Sequence, residues 1–255
     1  MADAIFADPR LASVYDAFDG GREDLDFYLA LADEVGARTV VDVGCGTGSL
    51  AVRLAASGRT VVGVDPAEAS LDVARGKPGA DKVSWVHGDA TVLPSLGLGA
   101  DLAVMTGNVA QVFVTDEAWA ETLRAIGSAL RPGGRLAFET RRPERRAWEG
   151  WAADTEPFTL DVPGVGVVER RLAVTAVELP LVSFRYTYRF ASDGDVGGGG
   201  SGGGSSVVTS DSTLRFRSRD EVESSLAACG LRVLDVRDAP DRPGLEFMFV
   251  AERSG

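Results

Sequence analysis

The chain has 255 residues, of which 45% are hydrophobic and 25% are charged, as is typical of a soluble globular enzyme. Its 26 Lys and Arg residues are outnumbered by 38 Asp and Glu residues, which gives a net charge of −12. Such a surface repels phosphate backbones and anionic lipids, so the composition excludes nucleic-acid or membrane binding unless a local basic patch exists.

Targeting signals and cysteine usage indicate where the protein works. No stretch approaches the roughly 20 apolar residues of a membrane span. Residues 1–10 lack the basic start and apolar run of a signal peptide. Cys45 and Cys229 do not suit a disulfide framework, and with the single histidine, His87, they cannot build a structural zinc site. We therefore expect a cytoplasmic protein without a metal.

The first elements in chain order are a helix and two buried strands. Apolar and aromatic side chains among acidic ones predict a helix over residues 8–35. A Val-rich strand at 40–43 then runs into three alternate glycines, Gly44, Gly46 and Gly48, and a helix follows. A second Val-rich strand ends in Asp65, which is 21 residues after Gly44.

The glycine segment and Asp65 together predict a nucleoside pocket. Glycines let the backbone approach a ligand where a β-carbon would collide. The helix that follows presents unpaired N–H groups to anionic groups. A carboxylate at the tip of the second strand can accept hydrogen bonds from vicinal ribose hydroxyls. The segment therefore predicts a pocket for an adenosine-bearing cofactor.

The spacing of the glycines favours one cofactor class. The dinucleotide fingerprint places its last glycine three residues after the middle one, whereas Gly48 follows Gly46 by two. This G-x-G-x-G form, with Asp42 two residues before the first glycine, resembles motif I of the class I S-adenosylmethionine-dependent methyltransferases.

Three later segments resemble the same family in the expected order. Residues 83–90 look like its third strand and the loop that meets the adenine, and residues 100–106 look like its fourth strand. Leu-Arg-Pro-Gly-Gly at 130–134 looks like the turn that ends a helix, before a fifth strand at 135–140. The resemblance covers about residues 38–140.

The resemblance implies an α/β fold whose seven-stranded, mostly parallel, doubly wound sheet has an antiparallel last strand. It implies S-adenosylmethionine as the cofactor and S-adenosylhomocysteine as its product. In similar enzymes an N-terminal segment folds over the cofactor, and the carbonyl after the fourth strand receives its ammonium group. The cofactor-binding residues implied in this way are Tyr15, Arg22, Asp42, Gly44, Cys45, Gly46, Gly48, Asp65, Pro66, Gly88, Asp89, Ala90 and Thr106.

Some of these residues have plainer interpretations that the sequence leaves open. Asp89 could accept a hydrogen bond from the adenine amine, and the Ala90 N–H could donate to a ring nitrogen. Tyr15 could contact the methionyl part and Arg22 its carboxylate, or they could be a core tyrosine and a solvated arginine. Cys45 is best interpreted as a small residue that fills a tight turn.

Few residues are candidates for the chemistry itself. Methyl transfer needs the nucleophile about 3 Å from the methyl carbon, and a hydroxyl acceptor also needs a base. Glu139, near the end of the fifth strand, could meet a substrate amine or pair with Arg141, Arg142 or Arg145. Asn108 could orient a polar group of the substrate or cap a helix. His87 lies beside the predicted adenine loop, which favours a packing or loop role.

The run at 140–151 is rich in Arg and Trp, which together could stack on an RNA base. In a chain this acidic, the pattern favours a rim of the substrate opening or internal salt bridges. The choice matters because an open basic groove at this run would indicate a macromolecular substrate.

The second half of the chain predicts an inserted antiparallel β-sheet. Strand patterns occupy 162–177, 181–191 and 207–216, and in the second of these four aromatic residues share one face. Residues 151–216 would form this insertion and cover the substrate, in a topology similar to N-methyltransferases of the glycine and amino-sugar type. Residues 197–206 predict a flexible Gly/Ser connection that could be engineered or natural.

The remaining residues predict how one domain, 1–255, is completed. A helix at 218–229 and strands at 231–237 and 245–252 would finish the sheet, so that 1–150 and 217–255 form the cofactor-binding core. We expect a methyltransferase acting on N or O of a small molecule, as a monomer or homodimer, with no nucleic-acid or membrane partner. A protein or RNA methyltransferase, an NAD-dependent oxidoreductase and a catalytically silent cofactor-binding module are the alternatives.

Overall fold

The computed structural model describes residues 2–191 and 205–254. The predicted Gly/Ser connection at 197–206 lies outside the described residues except for its last two serines. The strands are β1 (Thr39–Val43), β2 (Thr60–Asp65), β3 (Val83–His87), β4 (Ala100–Met105), β5 (Leu130–Arg141), β6 (Phe158–Val162), β7 (Gly166–Glu178), β8 (Leu181–Phe190), β9 (Ser206–Arg215), β10 (Leu231–Asp238) and β11 (Glu246–Arg253). The α-helices are α1 (Ala4–Ala7), α2 (Pro9–Asp19), α3 (Asp24–Glu34), α4 (Ser49–Ala56), α5 (Glu68–Arg75), α6 (Leu93–Leu96), α7 (Asp116–Ala129), α8 (Ala147–Ala153) and α9 (Arg219–Ala228).

The larger sheet has seven strands in the order β10-β11-β5-β4-β1-β2-β3. Strands β1 to β5 pair in parallel, whereas β11 is antiparallel to both of its neighbours. The predicted fold class is confirmed. Since β1 lies between β2 and β4, the chain leaves β1 in one direction along the sheet and later returns on the other side. The carboxyl ends of these strands form the crevice where ligands of such sheets bind.

Apolar side chains cover both faces of this sheet. On one face, α7 and α9 pack Trp119, Leu123, Ile126 and Leu226 against it. On the other face, α3 and α4 contribute a second cluster that includes Leu25 and Leu54. Central strands that are buried on both faces read as Val-rich runs, which explains the sequence of β1 and β2.

The smaller sheet is antiparallel and has four strands in the order β6-β7-β8-β9. One face of β8 carries the predicted aromatic residues. At one end of this face Tyr188 packs edge-on against Phe18 of α2, with 5.5 Å between ring centroids. At the other end Val182 packs against Trp148 of α8. The sheet is therefore joined to the rest of the chain through helices on a single face.

The predicted helix at 8–35 is wrong in one respect, because it is interrupted. Gly20 adopts φ 75° and ψ −155°, a backbone conformation open to glycine, and α2 ends just before it. A second glycine, Gly21, follows, and α3 begins at Asp24. The Gly-Gly pair thus gives two helices that can pack on different parts of the molecule.

The predicted strand at 162–177 is confirmed from Gly166 onwards but begins too early, because its first residues are the end of β6 and the turn of a hairpin. Pro163 cannot donate a ladder hydrogen bond, and Gly164 adopts a φ of 78°. The Val165 N–H donates to the Val162 carbonyl at 2.9 Å, which closes the turn between β6 and β7. The fifth strand of the large sheet is longer than predicted and begins at Leu130.

The Arg- and Trp-rich run at 140–151 makes contacts within the chain. Arg142 pairs with Asp238 at 2.5 Å, and Arg146 pairs with Glu149 at 3.1 Å. The Arg141 guanidinium lies 5.1 Å from the centroid of the Trp151 ring. These are the internal contacts that the sequence favoured for the run. None of the helices in the described part of the chain combines the length and apolar character that crossing a membrane requires.

Candidate active site

A cavity of about 300 Å³ opens at the carboxyl ends of β1, β2, β3 and β4. Segments after these strands form its walls, and the N-terminal helices and one residue of β9, Thr213, complete the lining. The predicted site residues that line it are Tyr15, Arg22, Gly44, Cys45, Gly46, Asp65, Pro66, Gly88, Asp89, Ala90 and Thr106. Asp42, Gly48, Asn108 and Glu139 are not part of the described lining.

The three glycines after β1 have three different surroundings. A β-carbon on Gly46 would meet no atom within 4 Å, and the residue lines the cavity with a φ of 53°. A β-carbon on Gly44 would lie 2.8 Å from the side chain of Val109 in the opposite wall. A β-carbon on Gly48 would lie 2.4 Å from the Trp85 ring. Gly46 therefore keeps space for a ligand, whereas Gly48 keeps space for an aromatic side chain, which corrects the prediction that Gly48 faces the cofactor.

Asp65 ends β2 beside the glycine turn and is 6% exposed. Its Oδ2 accepts a hydrogen bond from the Gly46 N–H at 2.8 Å, and its Oδ1 accepts one from the Ala67 N–H at 2.8 Å. Burial raises the pKa of the Asp65 carboxyl, while these two backbone donors lower it. A carboxylate has about four acceptor positions, so Asp65 can hold the turn and still accept from ligand hydroxyls.

Asp42 lies within β1 and is 1% exposed. Neither carboxylate oxygen has a hydrogen-bond partner within the part of the chain that the structure describes. Burial, and then the nearby charge of Asp65, raise the pKa of Asp42 to about 7, which Arg22 partly offsets. A buried and unpartnered carboxylate is costly unless a donor reaches it.

Glu139 and Asn108 are turned away from the cavity. The Glu139 carboxylate accepts hydrogen bonds from the Tyr28 hydroxyl and from the Asn108 N–H, the latter at 2.6 Å. Burial raises the pKa of Glu139 to about 8. Asn108 makes no side-chain cap, and its Nδ2 donates to Glu246 at 3.2 Å. The structure thus places neither side chain where it was expected to meet a substrate, because both are tied into a buried network.

The third strand ends in the loop predicted to meet the adenine. Gly88, Asp89 and Ala90 line the cavity. The Asp89 carboxylate accepts from the Thr91 N–H at 2.9 Å, so it caps the following turn. His87 lies outside the described lining, with Nε2 3.1 Å from the Pro66 carbonyl and Nδ1 3.3 Å from Glu68. Both contacts are with residues that follow β2, which agrees with the packing or loop role expected for His87.

The N-terminal helices close one side of the cavity. Phe6 and Tyr15 line it, and their ring centroids are 5.5 Å apart. Burial raises the pKa of the Tyr15 phenol. Arg22 also lines the cavity, but its guanidinium is paired with Asp19 at 2.8 Å and Asp24 at 2.9 Å. Arg22 is therefore an ion-paired, half-buried residue.

Polar contacts tie these helices to the glycine turn. The Thr47 hydroxyl donates to Asp16 of α2 at 2.6 Å. Lys77 bridges the same Asp16, at 2.6 Å, and the Ser49 hydroxyl, at 2.8 Å. These contacts hold the N-terminal helices against the first turn of α4. A substitution of Asp16 or Lys77 should therefore weaken the packing of these helices on the glycine turn.

Other lining residues were not predicted from sequence. They are mainly apolar or hydroxyl side chains, and they include Phe6, Thr47, Ser49, Val109, Val112, Phe113 and Thr213. Val109, Val112 and Phe113 follow β4, so their place after a central strand was a usable signal. Phe6 and Thr213 carry no such signal, since only the packing of α1 and β9 brings them to the cavity. Within the described residues, no group of three or more His, Cys, Asp or Glu side chains is arranged to hold a metal.

Comparison with protein-family models finds a methyltransferase domain at residues 40–134. A demethylmenaquinone methyltransferase of Clavibacter sepedonicus is 37% identical over 110 residues, which are 43% of either chain. An uncharacterised methyltransferase of Mycobacterium tuberculosis is 34% identical over 150 residues, covering 53% of this chain and 54% of that protein. The chain spans about half the length of the curated relatives it matches.

Solved structures extend the likeness beyond that region. A sugar N-methyltransferase from Streptoalloteichus aligns with a TM-score of 0.75 and 22% identity, covering 95% of this chain and 93% of that one. An amino pentose methyltransferase from Micromonospora echinaspora aligns with a TM-score of 0.69 and 24% identity, covering 94% and 97%. At this identity the likeness concerns the fold.

The residues of the cavity fit S-adenosylmethionine. Gly46 leaves open space beside the turn, and Asp65 can accept from ribose hydroxyls. These observations agree with the cofactor class that the glycine spacing predicted.

Proposed function

We propose that the chain is a class I, S-adenosylmethionine-dependent methyltransferase and that it methylates a nitrogen atom of a small molecule. S-adenosylmethionine supplies an electrophilic methyl group on a sulfonium. The chain binds this donor, orients the acceptor and excludes water from the cavity. The observation that carries the proposal is the Gly46 turn, which is open towards the cavity and held by the Asp65 carboxylate.

The titratable groups of the cavity favour nitrogen over oxygen as the acceptor. A hydroxyl needs a base within hydrogen-bond reach, whereas a neutral amine attacks without one. Burial raises the pKa of the Tyr15 phenol and the Cys45 thiol, so neither ionises readily. The carboxylates of Asp65 and Asp89 already accept backbone hydrogen bonds. Apart from Asp3, no side chain among the described lining residues is thus prepared to deprotonate an alcohol.

Charge also supports an amine acceptor. The lining carboxylate that remains, Asp3, lies at the start of α1 next to the cavity. An acidic group there, in a chain of net charge −12, attracts a cationic amine by the long-range field of the protein. The amine then reacts as its neutral fraction, so no proton has to pass to the enzyme before attack.

The size of the cavity and its cover support a small acceptor. The cavity of about 300 Å³ is enclosed by α1, α2 and the turn after β4. The Arg-rich run at 140–151, the docking surface of a macromolecular alternative, is engaged in ion pairs and aromatic contacts. A relative named for demethylmenaquinone and structural neighbours named for an amino pentose and a sugar are consistent with a small acceptor.

Two measurements test the proposal. Calorimetry of the full chain should detect binding of S-adenosylmethionine and S-adenosylhomocysteine, but not of NAD. Methyl-labelled donor should then transfer label to amino sugars and other small amines, and not to the matched alcohols. Across amines of different pKa, the midpoint of the pH dependence of kcat/KM should move with the acceptor.

Three results would contradict the proposal. Binding of NAD in place of the sulfonium donor would support the oxidoreductase alternative. Transfer to alcohols as fast as to matched amines would contradict the argument that the cavity lacks a base for an alcohol. A pH midpoint that stays fixed as the amine changes would show that an enzyme group controls the proton.

A further inference from the structure

The turn after β4 forms one wall of the cavity. Thr106, Gly107 and Val109 line the cavity, whereas Asn108 between them is 4% exposed and faces the interior. Asn108 has a φ of 61°, in the left-handed region that residues with a side chain rarely adopt. Something in the surrounding structure must therefore hold this turn.

Two buried glutamates hold Asn108 from adjacent strands. Glu139 of β5 accepts from the Asn108 main-chain N–H at 2.6 Å, and Glu246 of β11 accepts from its side-chain Nδ2 at 3.2 Å. Glu246 is balanced by Arg242 at 2.9 Å and by Arg141 at 3.7 Å. The two carboxylates are 6% and 3% exposed, so water does not compete for these bonds.

Glu139 is itself oriented by α3. The Tyr28 hydroxyl donates to the Glu139 oxygen that Asn108 does not use. Tyr28 is 2% exposed and belongs to the apolar cluster between α3 and the sheet. Tyr28 therefore fixes the direction of the carboxylate, and the carboxylate fixes the peptide group that joins Gly107 to Asn108.

We propose that Glu139 is a positioning residue that shapes the donor-binding wall of the cavity through Asn108. A trans peptide points its N–H and its carbonyl in opposite directions. With the Asn108 N–H directed at Glu139, the Gly107 carbonyl of the same peptide is turned away from Glu139. The wall formed by Thr106, Gly107 and Val109 is thus set by a carboxylate that does not touch the ligand. This inference rests on the proposed binding of the sulfonium donor.

Substitutions at Glu139 separate positioning from other roles. Glu139→Gln keeps an acceptor oxygen for the Asn108 N–H and can donate to the Tyr28 oxygen, so it should bind S-adenosylmethionine within about twofold of the unmodified chain. Glu139→Leu removes both acceptors and leaves the Asn108 N–H buried without a partner. Its Kd for S-adenosylmethionine should rise by about tenfold or more, as expected for an unmet buried hydrogen bond.

A milder variant and a control complete the experiment. Tyr28→Phe keeps the ring and loses one donor, so its Kd should rise in the same direction by a smaller factor; it decides the matter if Glu139→Leu does not fold. Val222→Ala trims a buried residue of α9 in the other face of the sheet, so it should lose stability without a change in Kd. All variants are titrated calorimetrically as full chains at a temperature where circular dichroism shows them folded.

The outcomes are distinguishable. If the unmodified chain fails to bind S-adenosylmethionine, the proposed function fails and the positioning role fails with it. If the unmodified chain binds and the Leu and Phe variants bind equally well, only the positioning role is overturned. It is also overturned if Glu139→Gln binds as weakly as Glu139→Leu, or if Val222→Ala weakens binding to the same extent.

Discussion

The carboxylate of Asp65 accepts a hydrogen bond of 2.8 Å from the backbone N–H of Gly46. The tip of β2 is thereby joined to the one glycine of the turn whose missing side chain leaves open space. Asp65 therefore has two functions, because it shapes the turn and can also accept hydrogen bonds from a ligand. It explains why the glycines and the acid are found together at the end of adjacent parallel strands.

Asp65→Ala should weaken binding of S-adenosylmethionine by about 1–3 kcal/mol, because ligand hydroxyls and the Gly46 N–H lose their acceptor. Calorimetry measures this change. The matched control is Asp101→Ala, since Asp101 also accepts two backbone hydrogen bonds, from Arg38 at 2.8 Å and Thr39 at 2.9 Å, but at the opposite edge of the sheet. Equal donor affinity in the Asp65 variant and the unmodified chain would reject this binding pose.

Gly46→Ala should reduce donor binding at least about tenfold while the protein stays folded. Its β-carbon would project into the cavity, and a ligand that approaches the turn would collide with it. Gly58→Ala is the control, because Gly58 also has a left-handed φ, of 88°, with no atom within 4 Å. Both variants carry similar backbone strain, so their thermal midpoints should shift similarly. Tight binding by the Gly46 variant would mean that the turn does not touch the ligand.

Gly48→Ala should instead destabilise the fold by about 2–4 kcal/mol, through left-handed strain and overpacking. The new β-carbon would lie 2.4 Å from the Trp85 ring and 2.9 Å from Ala74. Trp85→Leu should relieve part of this cost, so urea unfolding of both single variants and the double variant should give a coupling energy of about 1 kcal/mol or more. Additive effects in this cycle would contradict the contact.

Glu139→Gln should change how stability depends on pH. Burial raises the pKa of Glu139 from its ordinary 4.5 to about 8 in the folded chain. Between these values the folded state holds a proton that the unfolded state has lost. Stability from this group is therefore complete below about pH 4.5 and falls as pH rises towards 8, by up to about 1.4 kcal/mol per pH unit. The charged or titratable groups that face Glu139 are Asp24, Tyr28, Arg141 and Glu246.

The measurement is urea unfolding of the chain and of Glu139→Gln, without ligand, at pH 5, 6, 7 and 8. Because glutamine does not titrate, the variant should gain stability relative to the unmodified chain as pH rises. Asp42, whose pKa is about 7, adds a similar slope to both proteins and cancels in the difference. Parallel curves would mean that Glu139 ionises as freely in the folded chain as in the unfolded one.

The sequence by itself determined the sheet core and the cofactor class. Val-rich strands, the glycine spacing around Gly46 and the acid at Asp65 are local patterns, and parallel strands bring their carboxyl ends to one edge whatever the rest of the chain does. Positions such as Gly88 and Thr106 could be assigned to the cavity for the same reason, since each directly follows a strand.

Only the tertiary structure decided what each side chain faces. Gly48 accommodates Trp85 of β3, and Glu139 is directed at Tyr28 and Asn108 by helix packing and not towards the cavity. Phe6 and Thr213 reach the cavity from opposite ends of the chain. No local pattern encodes these contacts, because they depend on how distant elements pack and which buried polar groups must then find partners.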